Sequence, residues 1–260
     1  MSEGRVILIT GAASGIGRRI AERFLEQGDA VHICDTSERA VGEFVAANPH
    51  ATASVADIGN RENVDSLFVD FAEQHEHLDV LVNNAGVAGP AGPVETLDED
   101  GWDDCLQTNL SGTFYMTKRA VPLLRKSTDA SIVNIASTAA LMGCPHRSPY
   151  VATKWAQIGL TKTWAMELGP EGIRVNAVCP TSVDGARIEK IIEGEAKQRG
   201  LSADEIRAVY LRQSSMRSFA TPDEVADTVL FLASDQAKRI SGQALAVDGH
   251  TEGFLNWLDK

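Results

Sequence analysis

The first 35 residues constrain the fold most. Residues 5–10, RVILIT, are short, apolar and β-branched, the signature of a buried strand. The loop TGAASGIG follows, with Gly11, Gly15 and Gly17. A helix comes next, with Ile16, Ile20 and Phe24 on one face and Gly28 as its stop. A second strand, AVHICD, ends at Asp35. Glycines let a backbone approach a pyrophosphate closely, and a helix N-terminus offers unpaired N–H donors and the positive end of its dipole. The spacing is G-x-x-x-G-x-G and not G-x-G-x-x-G. A tight turn of packing glycines is the plainer alternative. The preceding strand, the following helix and the acid closing the next strand favour a dinucleotide site.

Within that unit, Gly11, Ser14, Gly15, Ile16 and Gly17 are the candidate pyrophosphate residues. Asp35 falls where an adenosine ribose would lie, to accept from its hydroxyls and repel a 2′-phosphate. Ser14 before Gly15, and Thr36 and Ser37 after Asp35, are not basic. The expected cofactor is therefore NAD over NADP. A third strand, ATASVAD, ends at Asp57, where the carboxylate and Ile58 would meet the adenine; capping the helix that follows is the other role open to Asp57. The fourth, LDVLVNNAG, runs into Asn83, Asn84, Ala85 and Gly86, at a ligand-facing strand end. Asn83 or Asn84 has the alternative of tying neighbouring strands together.

Further on, a long helix over about 99–126 carries Asn109, a poor mid-helix residue. SIVNIAS is a fifth strand ending at Ser137, IRVNAVCP a sixth reaching Pro180, and ALAVDG the last. TPDEVADTVLFLASD is the last long helix, with Thr221 as its N-cap. Residues 184–215 are polar with a helical period and read as a mobile substrate flap. Strands alternate with helices throughout, which predicts an α/β doubly wound parallel sheet of about seven strands in one domain, residues 1–260.

Tyr150 and Lys154 stand one turn apart on a helix, so phenol and ammonium share a face. A cation beside a phenol favours the phenolate, and such a pair is a general base for an alcohol proton. An exposed Tyr and Lys on an ordinary helix is the alternative. With 36 acidic against 24 basic residues the net charge is −12, which argues against nucleic acid and anionic membranes as partners. Cys34, Cys105, Cys144 and Cys179 are scattered, so no metal site or disulfide framework is expected. No stretch is apolar enough to span a bilayer, and no targeting segment stands out. A cytoplasmic protein is the expectation.

Taken together, TGAASGIG at 10–17, NNAG at 83–86, Asn109, Ser137 and YVATK at 150–154 make the chain resemble the short-chain dehydrogenase/reductase family over roughly residues 5–250. The resemblance implies a reversible hydride transfer between a secondary alcohol and NAD. Tyr150 would be the acid/base, and Lys154 would lower its pKa and hold the nicotinamide ribose. Ser137 would hydrogen-bond the reacting oxygen. Asn109 would disturb its helix and hold a water that passes the proton to solvent. The pattern departs after the sixth strand: Thr181 stands where the family has glycine, and Gly185 where it has threonine. Pro180 and the backbone of Val183 remain candidates for the nicotinamide amide. A homotetramer is implied, and Phe254 and Trp257 are candidates to pack on a neighbouring subunit.

The substrate pocket is expected from residues 87–95, 138–147 and 181–218. It contains His146 and Arg147, whose guanidinium could pair with a carboxylate, sulfonate or phosphate, or simply be a surface arginine. A polar substrate follows: a polyol, sugar or hydroxy acid. A cofactor-free lyase on the same scaffold and a dinucleotide sensor without turnover are the competing readings. The first would lack the glycine loop and the second would not need Tyr150 and Lys154.

Overall fold

The computed structural model describes residues 4–253. Strands β1 (Val6–Thr10), β2 (Ala30–Asp35), β3 (Thr52–Val55), β4 (Val80–Asn83), β5 (Ser131–Ile135), β6 (Arg174–Pro180) and β7 (Ala244–Val247) form one sheet in the order β3-β2-β1-β4-β5-β6-β7. Every neighbouring pair is parallel. This is the doubly wound α/β architecture expected from the alternation, with seven strands among the described residues.

The continuous apolar run in β1 follows from burial on both faces. Ile7 and Ile9 join the layer under α1 (Gly15–Glu26), α2 (Glu38–Ala47) and α9 (Pro222–Leu232). Val6 and Leu8 join the opposite layer, under α3 (Arg61–Ala72), α5 (Thr113–Leu124) and α6 (Ser148–Leu168). Each fully buried Ile or Leu contributes about 1.5–3 kcal/mol, so these two layers fix the sheet. The chain runs outward from β1 to β2 and β3, then returns to place β4 on the other side of β1. At that reversal the loops leaving β1 and β4 diverge and open a crevice at the C-terminal strand ends.

Two sequence readings need correction. The helix expected over 99–126 is interrupted: α4 (Glu99–Leu106) and α5 are joined by a π-helical turn, Gln107–Gly112, that contains Asn109. Strand β3 stops at Val55, and the cap of α3 is Asn60, which accepts from the N–H groups of Glu62 and Asn63. Asp57 instead accepts from Gly59 N at 2.8 Å. The helical period expected over 184–215 is present as two helices, α7 (Ala186–Arg199) and α8 (Ala203–Arg212), separated at Gly200, whose φ is 67°. The expected cap of α9 is present, with Thr221 accepting from Glu224 N and Glu224 closing a capping box. Phe254 and Trp257 lie outside the described residues.

Helix α6 buries Trp164 and Leu168 near its C-terminus but is polar along the buried stretch 153–161. Thr153, Lys154, Gln157 and Thr161 face inward, while Trp155 and Met166 are exposed. Hydrophobic burial alone does not explain this inversion; it is the first sign that the inner face serves chemistry.

Candidate active site

The crevice is a cavity of about 650 Å³ along the strand ends. One end is built by the β1–α1 turn. Gly11, Ser14, Gly15, Ile16 and Gly17 all line it. Gly15 has φ 57°, a left-handed conformation, and a Cβ built on it meets nothing within 4 Å. Gly17 is the opposite case: a Cβ there would sit 2.4 Å from both Asn84 Nδ2 and Gly11 O. The first glycine serves an open turn, the second close packing of α1 on the strand ends. Ser14, the cap position of α1, makes no side-chain cap bond, unlike Ser37, Asn60 and Thr221 at their own helices. The first N–H groups of α1 are thus left for a ligand at the positive end of the helix dipole.

Asp35, Asp57 and Ile58 line the same end. Asp35 is oriented by backbone donors, Ala13 N at 3.2 Å and Ser37 N at 3.3 Å. Asn84, Ala85 and Gly86 line the middle. The two asparagines divide the roles left open by the sequence. Asn83 is buried and ties β4 to Thr117 and Asn134 at 3.1 and 2.9 Å. Asn84 reaches back to the carbonyls of Thr10 and Gly11 at 2.9 and 2.8 Å, bracing the glycine turn.

At the other end stand Ser137, Tyr150, Lys154, Pro180 and Val183. Ser137 accepts from Ala139 N at 3.2 Å, so it caps a short 3₁₀ turn and still presents its hydroxyl to the cavity. Lys154 Nζ lies 5.6 Å from the centre of the Tyr150 ring, and the Arg147 guanidinium is over the same ring at 5.5 Å. Lys154 is only 4% exposed. Burial pushes its ammonium down from 10.5 to about 7, and the Arg187 guanidinium adds to the fall. Nζ donates to Ile135 O at 2.8 Å and Gln157 Oε1 at 3.0 Å. The pair is therefore a buried, hydrogen-bonded cation beside a half-buried phenol, not two solvated side chains.

Two expected residues lie outside the cavity wall. Asn109 is fully buried behind it; its amide accepts from Val87 N at 2.7 Å and donates to Val87 O at 2.9 Å. His146 is exposed, has φ 62°, and offers its carbonyl to Gly92 N at 3.0 Å, so it turns a loop. Arg147 does line the cavity.

The departures after β6 have a local explanation. Gly185 has φ 136°, which a threonine would resist, because the chain swings there into α7. Val183 bridges Ala220 through the flanking Ser182 carbonyl and Asp184 N–H, leaving its own amide groups outside that pairing.

The sequence did not single out Gln157, and it covered Arg187 and Gln213 only within the segment 181–218 expected to line the substrate pocket. Arg187 and Gln213 line the cavity from α7 and from just beyond α8. Gln213 is 2% exposed, and its Nε2 has no partner among the described residues. Gln157 had a signal in the sequence, a polar residue three positions beyond Lys154 on the same helix. For the other two the segment was legible but the individual residues were not, because which of them face the site is set by the tertiary packing of α7 and α8.

The arrangement defines a dinucleotide-dependent oxidoreductase working on CH–OH groups. A family model described as Enoyl-(Acyl carrier protein) reductase matches residues 11–251. The chain is 36% identical over 251 residues to the 3-oxoacyl-[acyl-carrier-protein] reductase of Thermotoga maritima, covering 95% of this chain and 97% of that one. Among solved structures it is similar to a variant of the actinorhodin polyketide ketoreductase with NADPH, with TM-score 0.91, 33% identity, and 96% and 97% of the two chains covered. It is also similar to an NAD+-bound xylitol dehydrogenase, with TM-score 0.89, 28% identity, and 95% and 99% covered. The chain belongs to the short-chain dehydrogenase/reductase family.

Proposed function

We propose that this protein interconverts a secondary alcohol and a ketone with NAD, on a small polar substrate of the sugar, polyol or hydroxy acid kind. The observation that carries the reading is a single cavity with an uncapped helix N-terminus and glycine turn at one end and Ser137, Tyr150 and buried Lys154 at the other. The residues present fit a dinucleotide. The glycine turn and the first N–H groups of α1 would hold its pyrophosphate, and Asp35 one ribose. Asp57 and Ile58 would hold the adenine, with Asn84, Ala85 and Gly86 along the middle. Lys154, Pro180 and Val183 would hold the nicotinamide half.

The dinucleotide supplies the hydride acceptor or donor. Tyr150 exchanges the proton at the substrate oxygen, and Ser137 donates a hydrogen bond to that oxygen as charge develops on it. Lys154 provides the nearby positive charge.

Asp35 supports NAD, because Ser14 and Thr36 beside it on the cavity wall offer no cation for a 2′-phosphate. The similar structures include one with NAD+ and one with NADPH, and Asp35 is the feature of this chain that favours NAD. Arg147 and Arg187 support a substrate with an anionic group. Both line the cavity, and among the described residues neither has a carboxylate partner, whereas most arginines of this acidic chain do. The orphan Gln213 amide offers a further donor to such a substrate.

Exposed Phe114 on α5 and Trp155 and Met166 on α6 support a homo-oligomer, a tetramer on the family pattern; light scattering of purified protein checks it. A cytoplasmic location belongs to the same reading, supported by four unpaired thiols. Among the described residues no helix is long and apolar enough to cross a membrane.

The test is NADH formation at 340 nm from xylitol, gluconate, 3-hydroxybutyrate and cyclohexanol, with Tyr150→Phe as control. At least one polar alcohol should reduce NAD, and Tyr150→Phe should lower that rate by about 10²–10⁴-fold while NADH still binds. Absence of turnover across the panel, with NADH bound, favours the sensor reading instead.

A further inference from the structure

The inner face of α6 carries an uninterrupted bridge from the active-site lysine to the π-helical turn. Lys154 Nζ donates to Gln157 Oε1 at 3.0 Å. Gln157 Nε2 donates to Asn109 O at 2.9 Å and to Thr113 Oγ1 at 3.2 Å. The Thr113 hydroxyl donates to the same Asn109 carbonyl at 2.8 Å. Gln157 and Asn109 are both fully buried.

This geometry fixes the Gln157 amide. Turning it over would set its NH₂ against the ammonium and its oxygen against a carbonyl, so only one orientation satisfies both neighbours. It also saturates the Asn109 carbonyl. A carbonyl has two lone pairs, and the Gln157 amide and the Thr113 hydroxyl take them. The Asn109 side chain is already committed to Val87 and Thr153. A water between Lys154 and this carbonyl would have to displace the amide. The place at the Asn109 carbonyl that the resemblance gives to a proton-passing water is thus occupied by a protein side chain.

We propose that Gln157 is a positioning residue of the reaction: its amide pins the Lys154 ammonium and closes the proton route through the π-helical turn. The inference rests on the proposed alcohol oxidation. In that direction the substrate O–H bond breaks as its proton passes to Tyr150, and the C–H hydrogen leaves with its electron pair for the nicotinamide. A primary amide has no proton to give up near neutral pH, so the bridge ends proton transfer where a water would continue it. The proton then leaves Tyr150 through the open side of the cavity. Of the three ammonium hydrogens, Ile135 O and Gln157 Oε1 hold two, which leaves one directed by both anchors to the ligand.

The experiment uses the full-length protein and the polar alcohol that the panel above returns. Rates in H₂O/D₂O mixtures should vary linearly with deuterium content in the wild type, one proton being in flight. Gln157→Ala opens a polar space lined by Lys154 and the Asn109 carbonyl, where a water fits, and should bow that dependence. Gln157→Leu keeps the bulk without the bridge. It should weaken NADH binding, read by fluorescence, by about tenfold for one lost charged hydrogen bond, and move the midpoint of the pH–rate profile. A bowed dependence in the wild type overturns the proposal. So does Gln157→Leu with wild-type NADH affinity and pH midpoint. Failure of the whole panel sinks the alcohol reading first, and is recognised because the wild type then turns nothing over.

Discussion

Replacing Lys154 by methionine should remove a pH dependence of stability whose size follows from the burial of the ammonium. Its fall from 10.5 to about 7 corresponds to about 5 kcal/mol of cost for keeping the charge in the folded protein. Below pH about 7 the folded and unfolded chains both carry the proton, and the folded form bears the full cost. Between about 7 and 10.5 the unfolded chain keeps the proton and the folded chain releases it, so stability rises with pH across that window. From pH 6 to pH 9 the wild type should gain about 3 kcal/mol relative to Lys154→Met. The absolute offset is a separate matter, because methionine orphans Ile135 O and Gln157 Oε1, at about 1–3 kcal/mol each. Urea unfolding of the cofactor-free proteins at pH 6, 7, 8 and 9 measures the difference. Parallel curves for the two proteins would refute the buried ammonium, and with it the reasoning that this lysine is held against its own solvation for the sake of the site.

Four further outcomes are expected. Gly17→Ala should cost about 1–3 kcal/mol by overpacking against Asn84 and Gly11, and weaken NADH binding. Gly15→Ala, where space is open, should cost about 1–2 kcal/mol from its φ of 57° alone; thermal melts and NADH titrations compare the two. Asp35→Ala combined with Thr36→Arg should move the ratio of kcat/KM for NAD over NADP toward NADP, and a wild type that already prefers NADP contradicts the role given to Asp35. Arg147→Ala should raise KM for gluconate or 3-hydroxybutyrate more than for xylitol; unchanged constants on every alcohol would remove the anionic-substrate reading.

Local pattern along the chain was enough to specify the frame. A β1 run apolar from Val6 to Ile9, a glycine turn and an amphipathic α1 specify a doubly buried parallel strand and its crossover, because these signals are local and periodic. The same locality made the Tyr150–Lys154 pair and the Thr221 cap legible, since each lies within one helical turn.

Tertiary structure alone decided the rest. Helical period cannot show that the chain over 99–126 breaks into a π-helical turn, because Asn109 is held there by Val87 and Thr153 from other elements. Nor can it separate Asn83 from Asn84, adjacent residues whose amides point to opposite sides of one strand end. Arg187 and Gln213 reach the cavity because α7 and the segment after α8 fold over it, an arrangement set by long-range packing. Gln157 was visible as a polar residue beside the lysine, but its meaning depends on a carbonyl 48 residues away. Periodicity encodes which face of an element is buried; it does not encode what that face will meet.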